Sequence, residues 1–91
     1  AEERKGQGIG TALLRKAKLL ATQRGAHRLE VGTGNSSLRE LGFYQRFGFR
    51  IVGVDFDFFV RRWGKATKQG GIPLRDMIRM EIWLRPEPSL R

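Results

Sequence analysis

The sequence predicts a small α/β (α+β) domain in the order loop, helix, strand, helix, strand, loop, strand. Three observations carry that expectation. Apolar residues recur at helical spacing in two segments, each helical segment is followed by a run of strict alternation, and glycines punctuate the boundaries. A chain of 91 residues has room for one core, and with 40% hydrophobic and 10% aromatic residues it has the apolar content of a globular protein rather than a disordered one.

The elements follow from the residues in order. Ile9, Leu13, Ala17 and Leu20 fall on one helical face after a glycine-rich loop, and Gly25 ends the helix. From His27 to Thr33 the chain alternates, with Leu29, Val31 and Thr33 on one side and Arg28 and Glu30 on the other, as a strand does. Ser36 and Ser37 are available as N-caps for a second helix from about Ser37 to Phe47, and Gly48 stands at its C-terminal end. Within it Gly42 is a poor helix former, which points to close packing or close ligand approach. A strand from Phe49 to Val54 follows directly. The segment "DFFVRRW" reads equally as a strand extension or a helical turn, and Gly64 to Pro73 reads as a polar loop. Alternation returns from Leu74 to Leu84, with Ile78, Met80, Ile82 and Leu84 on one face, before a Pro-containing tail over 85–91.

Composition excludes several chemistries. There is no cysteine, so neither a disulfide framework nor a thiolate metal site exists, and the single histidine, His27, makes no cluster. Asp55 and Asp57 alternate on a strand pattern without further ligands; no metal is expected there, and attraction of a cationic amine is the use they suggest. No apolar run approaches the roughly 20 residues of a membrane span. A soluble, cytoplasmic protein is expected. The net charge of +9 favours polyanions or a phosphorylated ligand, yet the cations are dispersed rather than gathered in one run.

The most informative stretch is "KGQGIGTALL". A helix N-terminus presents unpaired N–H groups and partial positive charge, and glycine lets an anion approach them closely. Gly6, Gly8 and Gly10 leave the N–H groups of Gln7, Gly8, Ile9, Gly10 and Thr11 free to ring a phosphate, with Lys5 at the rim. Neither a P-loop nor the dinucleotide fingerprint fits: no Gly-Lys-Ser/Thr triplet occurs, and the glycines are spaced G-x-G-x-G rather than G-x-G-x-x-G.

This stretch resembles the coenzyme A pyrophosphate loop of the GNAT superfamily of N-acetyltransferases, Gln/Arg-x-x-Gly-x-Gly/Ala at the start of a helix. Lys5, Gly8 and Gly10 fall on its positions, with Lys5 in place of the usual Gln or Arg. Downstream, "FYQRFGFRIVG" is similar to the superfamily's helix that carries a tyrosine and runs through Gly-Phe into a strand. The resemblance implies the C-terminal half of a GNAT fold with a mixed sheet and acetyl-CoA as acyl donor. It also implies a cofactor site at Lys5, Gly6, Gln7, Gly8, Ile9, Gly10 and Thr11, with Asn35 touching the cofactor arm and Tyr44 as the acid that protonates the departing thiolate. A phenol of pKa about 10 suits a thiolate of similar basicity.

On this resemblance the chain is one partial domain: cofactor loop and helix over 1–25, strand-helix-strand over 27–54, a loop region over 55–73 and a last strand over 74–84. The family's first strands and helices, with the general base, would precede Ala1. Their absence would expose a sheet edge and one side of the helix over 9–20, which a second copy, by strand exchange or face-to-face packing, would cover most simply, and for which a chain cut from a longer protein is an equal account. The expected function is amine acetylation by direct attack on acetyl-CoA, with the acceptor unspecified. A non-catalytic half-domain that binds CoA or a partner is the alternative. A basic nucleic-acid module using Arg61, Arg62, Lys65 and Lys68 beside Phe58, Phe59 and Trp63 ranks last.

Overall fold

The computed structural model describes residues 2–85, with side chains from Gly8 onward. The order is α1 (Glu2–Gln23), β1 (Arg28–Gly34), α2 (Leu38–Phe47), β2 (Arg50–Asp55), α3 (Phe58–Trp63), β3 (Thr67–Gln69), β4 (Ile72–Leu74) and β5 (Met77–Trp83). The chain divides into two compact units, residues 1–29 with 82–91 and residues 30–81.

In the first unit, α1 begins at Glu2 rather than after the glycines. Glu2, Glu3, Arg4 and Lys5 are good helix formers, acids suit a helix start, and no proline stops the helix before Gly6. The expected loop is therefore the opening of the helix. The row Ile9, Leu13, Ala17 and Leu20 is exposed, Ile9 at 65% and Leu13 at 66%, whereas Gly10, Leu14 and Ala21 are half-buried. The apolar row read from the sequence is thus the exposed side of the helix. Leu84 N–H donates to His27 O at 2.8 Å, and Arg28 lies over the Trp83 ring.

The second unit holds a three-stranded sheet in the order β1-β5-β2. β5 pairs antiparallel with β2, from Arg50 opposite Glu81 to Asp55 opposite Met77, with a bulge between Ile51 and Gly53. Beyond the end of β1, Asn35 N–H donates to Asp76 O at 2.9 Å. Where its strand register is defined the sheet is antiparallel, with β5 lying between β1 and β2.

Helix α2 runs as expected from the first residue after Ser37 to Phe47. Gly48 closes it at φ 126°, its N–H shared between Tyr44 O and Gln45 O at 3.1 Å. The hydroxyl of Ser37 does not cap it. The aromatic side chains of α2 meet the strand that follows: Phe49, 3% exposed, lies edge-on to Tyr44 at 5.4 Å and tilted to Phe47 at 6.0 Å. With Met80, which is fully buried, Phe49 makes the apolar centre of the described residues. A Cβ at Gly42 would meet only the Arg46 guanidinium, at 2.9 Å, and the far end of a flexible side chain is not the close packing expected there.

The ambiguous segment resolves as α3, held at its start by Asp57 N–H on Asp76 Oδ1 (2.8 Å) and Phe59 N–H on Arg75 O (2.9 Å). The expected polar loop beyond it contains a hairpin, β3 antiparallel to β4, with Gln69 opposite Ile72. Gly70 and Gly71 form its two-residue turn at φ 60° and 81°, values that glycine adopts without a Cβ penalty. Leu74 therefore belongs to this hairpin, and the last strand begins at Met77.

Candidate cofactor and catalytic residues

Of the anion cradle, the side chains of Lys5, Gly6 and Gln7 lie outside the described residues. Gly8, Ile9, Gly10 and Thr11 are inside α1. An α-helix leaves only its first four N–H groups without intrahelical partners, so in a helix that starts at Glu2 the donors of residues 8–11 are internal. The cradle is closed in this conformation, for the same reason that the loop is absent. Gly8 nevertheless stands in open space: a Cβ built there meets no heavy atom within 4 Å.

Tyr44 lies in the middle of α2 and is half-buried, its ring between Phe43 at 5.5 Å and Phe49 at 5.4 Å. Packing on both sides fixes the ring.

Asn35 occupies the turn between β1 and α2, and its carboxamide makes three hydrogen bonds to backbone. Nδ2 donates to Pro73 O at 3.0 Å, and Oδ1 accepts from Arg75 N–H at 2.8 Å and Asp76 N–H at 2.9 Å. These bonds join residues 38 to 41 positions apart, tying the end of β1 to the link between β4 and β5. Next to it Ser36, 5% exposed, and Ser37 both donate to Gln69 Oε1, at 2.9 and 3.1 Å. The Asn-Ser-Ser sequence therefore fastens the β3–β4 hairpin to the start of α2. Gln69, Arg75 and Asp76, which complete this buckle, carry no local signal that marks them in the sequence. Between the helix start and the hairpin lies a groove of about 480 Å³, lined by Ser36–Glu40 together with Gln69, Gly70 and Ile72.

The two aspartates do not stand free for an amine. Asp55 pairs with Arg61 at 2.8 Å and Asp57 with Arg75 at 2.5 Å. Each carboxylate has a guanidinium in reach, so the expected attraction of a cationic substrate is already satisfied inside the chain. No group of three or more potential metal ligands occurs among the described residues, and no described helix is long and apolar enough to cross a membrane.

Comparison with known proteins places this geometry in context. The acetyltransferase (GNAT) family profile matches residues 1–49, a span that includes both the glycine segment and Tyr44. The chain is 42% identical over 76 residues to the uncharacterized N-acetyltransferase YvbK of Bacillus subtilis, covering 84% of this chain and 49% of that protein. It superposes on an IAA acetyltransferase from Bacillus cereus with a TM-score of 0.80 at 47% identity, over 91% of this chain and 55% of the other. A GNAT family acetyltransferase from Elizabethkingia anophelis, solved with acetyl-CoA bound, gives a TM-score of 0.81 at 37% identity over 91% and 54% of the two chains. The chain thus spans about half the length of these relatives.

Proposed function

The chain belongs to the GNAT family of acetyltransferases, and from that premise we propose that it is the C-terminal, cofactor-binding portion of an acetyl-CoA-dependent N-acetyltransferase. The observation that carries this reading is the single family match running from the glycine segment through Tyr44. The relative solved with acetyl-CoA supports the choice of acyl donor. Acetyl-CoA supplies a thioester whose carbonyl carbon an amine attacks directly, the amine losing a proton and the thiolate departing.

This chain's contribution starts at α1. When the helix begins near Gly8 instead of Glu2, the N–H groups of Gly8, Ile9, Gly10 and Thr11 become its free donors. The open space beside Gly8 then admits a pyrophosphate. Lys5, Gly6 and Gln7 close the rim. Tyr44, fixed between two phenylalanine rings, delivers its phenolic proton to the leaving sulfur. Asn35 serves the site by holding the turn before α2, its carboxamide being committed to Pro73, Arg75 and Asp76. The exposed row Ile9, Leu13 and Leu20 is the surface on which another segment or a second copy packs.

Calorimetric titration of the 91-residue chain with acetyl-CoA tests the reading. Saturable binding that Gly8→Glu abolishes supports it, because the glutamate places both bulk and negative charge in the cradle. Absence of saturable binding by the unaltered chain refutes it.

A further inference from the structure

Every residue from Arg61 to Gly71 is exposed, and this stretch carries Arg61, Arg62, Lys65 and Lys68 without one acidic residue. The acids just before it are already neutralised, Asp55 by Arg61 and Asp57 by Arg75. Among the described residues no carboxylate pairs with Arg62, Lys65 or Lys68. The positive charge of Arg62, Lys65 and Lys68 is therefore uncompensated by an ion pair.

The arm also presents an aromatic row. Phe58 and Phe59 meet edge-to-face at 5.0 Å, Phe59 and Trp63 lie 5.3 Å apart, and the Arg62 guanidinium sits over Phe58 at 5.7 Å. The row ends in Trp63, whose indole is 54% exposed. An indole this open beside cations offers a flat face on which a base can stack. The arm is anchored as well. Gly64 N–H closes α3 on Val60 O, the Gly70–Gly71 turn fixes the hairpin, and Gln69 is held by Ser36 and Ser37.

We infer that this arm is a docking surface for single-stranded nucleic acid, with Arg62, Lys65 and Lys68 on phosphates and Trp63 stacked on a base. Stacking on an aromatic platform flanked by cations is the general mode of sequence-tolerant single-strand binding. A membrane partner needs a broad apolar face, whereas Phe58 and Phe59, the aromatics beside Trp63, are half-buried and the exposed residues that follow it over 64–71 are Gly, Ala, Thr, Gln and Lys. An acidic peptide would satisfy the cations and leave the indole unused. Nucleic acid ranks last as the whole purpose of the chain; as a second surface it is independent of acyl transfer.

The test is fluorescence anisotropy of a fluorescein-labelled 12-nucleotide oligo(dT) with the full chain, between 50 and 200 mM salt. Three phosphate contacts give a log–log salt slope of about −2, a loss of roughly 20-fold across that range. Trp63→Ala weakens binding about tenfold. The reversal Arg62→Glu/Lys65→Glu/Lys68→Glu removes it, while the matched reversal Arg15→Glu/Lys16→Glu/Arg24→Glu on the other unit leaves it in place. If the first reversal loses its circular dichroism spectrum, Lys65→Gln/Lys68→Gln is used instead and lowers the slope by about 1.4. The inference is overturned if the oligonucleotide does not bind, if Trp63→Ala binds as well as the unaltered chain, or if both reversals weaken binding equally. It is also overturned if polyglutamate or phosphatidylserine vesicles bind as tightly as oligo(dT).

Discussion

Replacing Asn35 by alanine separates two roles for this residue, and the structure sets the size of the effect. The substitution removes three hydrogen bonds, one donated to Pro73 O and two accepted from the N–H groups of Arg75 and Asp76. Each contributes roughly 0.5–1.5 kcal/mol net. The bonds to Pro73 and Arg75 are exposed, so water replaces much of what they lose, and only the one to Asp76 is partly buried. The low end of the range applies, about 1.5 kcal/mol in total. In urea, with a slope of about 1 kcal/mol per molar for a chain of this size, the unfolding midpoint falls by about 1.5 M. Asn35→Asp keeps both acceptor bonds and loses only the donor, so its midpoint falls about a third as far. A midpoint for Asn35→Ala within about 0.3 M of the unaltered chain, together with a tenfold loss of acetyl-CoA affinity, would refute this reasoning: the side chain would then be a cofactor contact and not a buckle.

Other substitutions probe the remaining features. Tyr44→Phe keeps both ring contacts, so stability changes by less than about 0.5 kcal/mol while acetyl transfer, followed by release of free CoA thiol, drops about 100-fold or more. Gly71→Ala forces a Cβ into a φ of 81° and destabilises the hairpin by about 1 kcal/mol, read as faster amide exchange at Gln69. Ile9→Glu/Leu13→Glu changes residues that are 65% and 66% exposed; thermal stability is unaltered, and any concentration-dependent association seen by sedimentation decreases.

The sequence is most legible where local signals agree. Helix α2 has serines before it, Gly48 after it and an aromatic face between, and its boundaries fall within one residue of expectation. Strand β1 follows from alternation alone. The segment at Phe58 is illegible locally because alternate aromatics and a helical turn fit the same residues; the decision comes from Asp76 and Arg75, 17 to 19 positions away, which bond to its first N–H groups. The hairpin had a local signal in Gln-Gly-Gly-Ile, outweighed by the polar residues on either side. Asn35 shows the opposite limit. Its type suits a turn or a ligand contact equally, and only the long-range fold brings Pro73, Arg75 and Asp76 to its carboxamide.

The opening of α1 joins these threads, because the proposed function requires a second structure there. Glu2 to Lys5 favour helix, and the structure continues it through Gly6, Gly8 and Gly10. Each of those glycines costs about 1 kcal/mol relative to alanine in a helix interior, so the three together make this opening about 3 kcal/mol weaker than an alanine-rich one. A helix starting near Gly8 still contains Gly10, so only Gly6 and Gly8 bear on the choice between the two starts, about 2 kcal/mol or roughly 30-fold in that equilibrium. A polyanion that binds the second form and not the first needs only modest differential affinity to move such a balance. The glycines therefore act twice. On the proposed function, they weaken the helical start that hides the N–H groups, and they would leave a phosphate free to reach those groups once exposed.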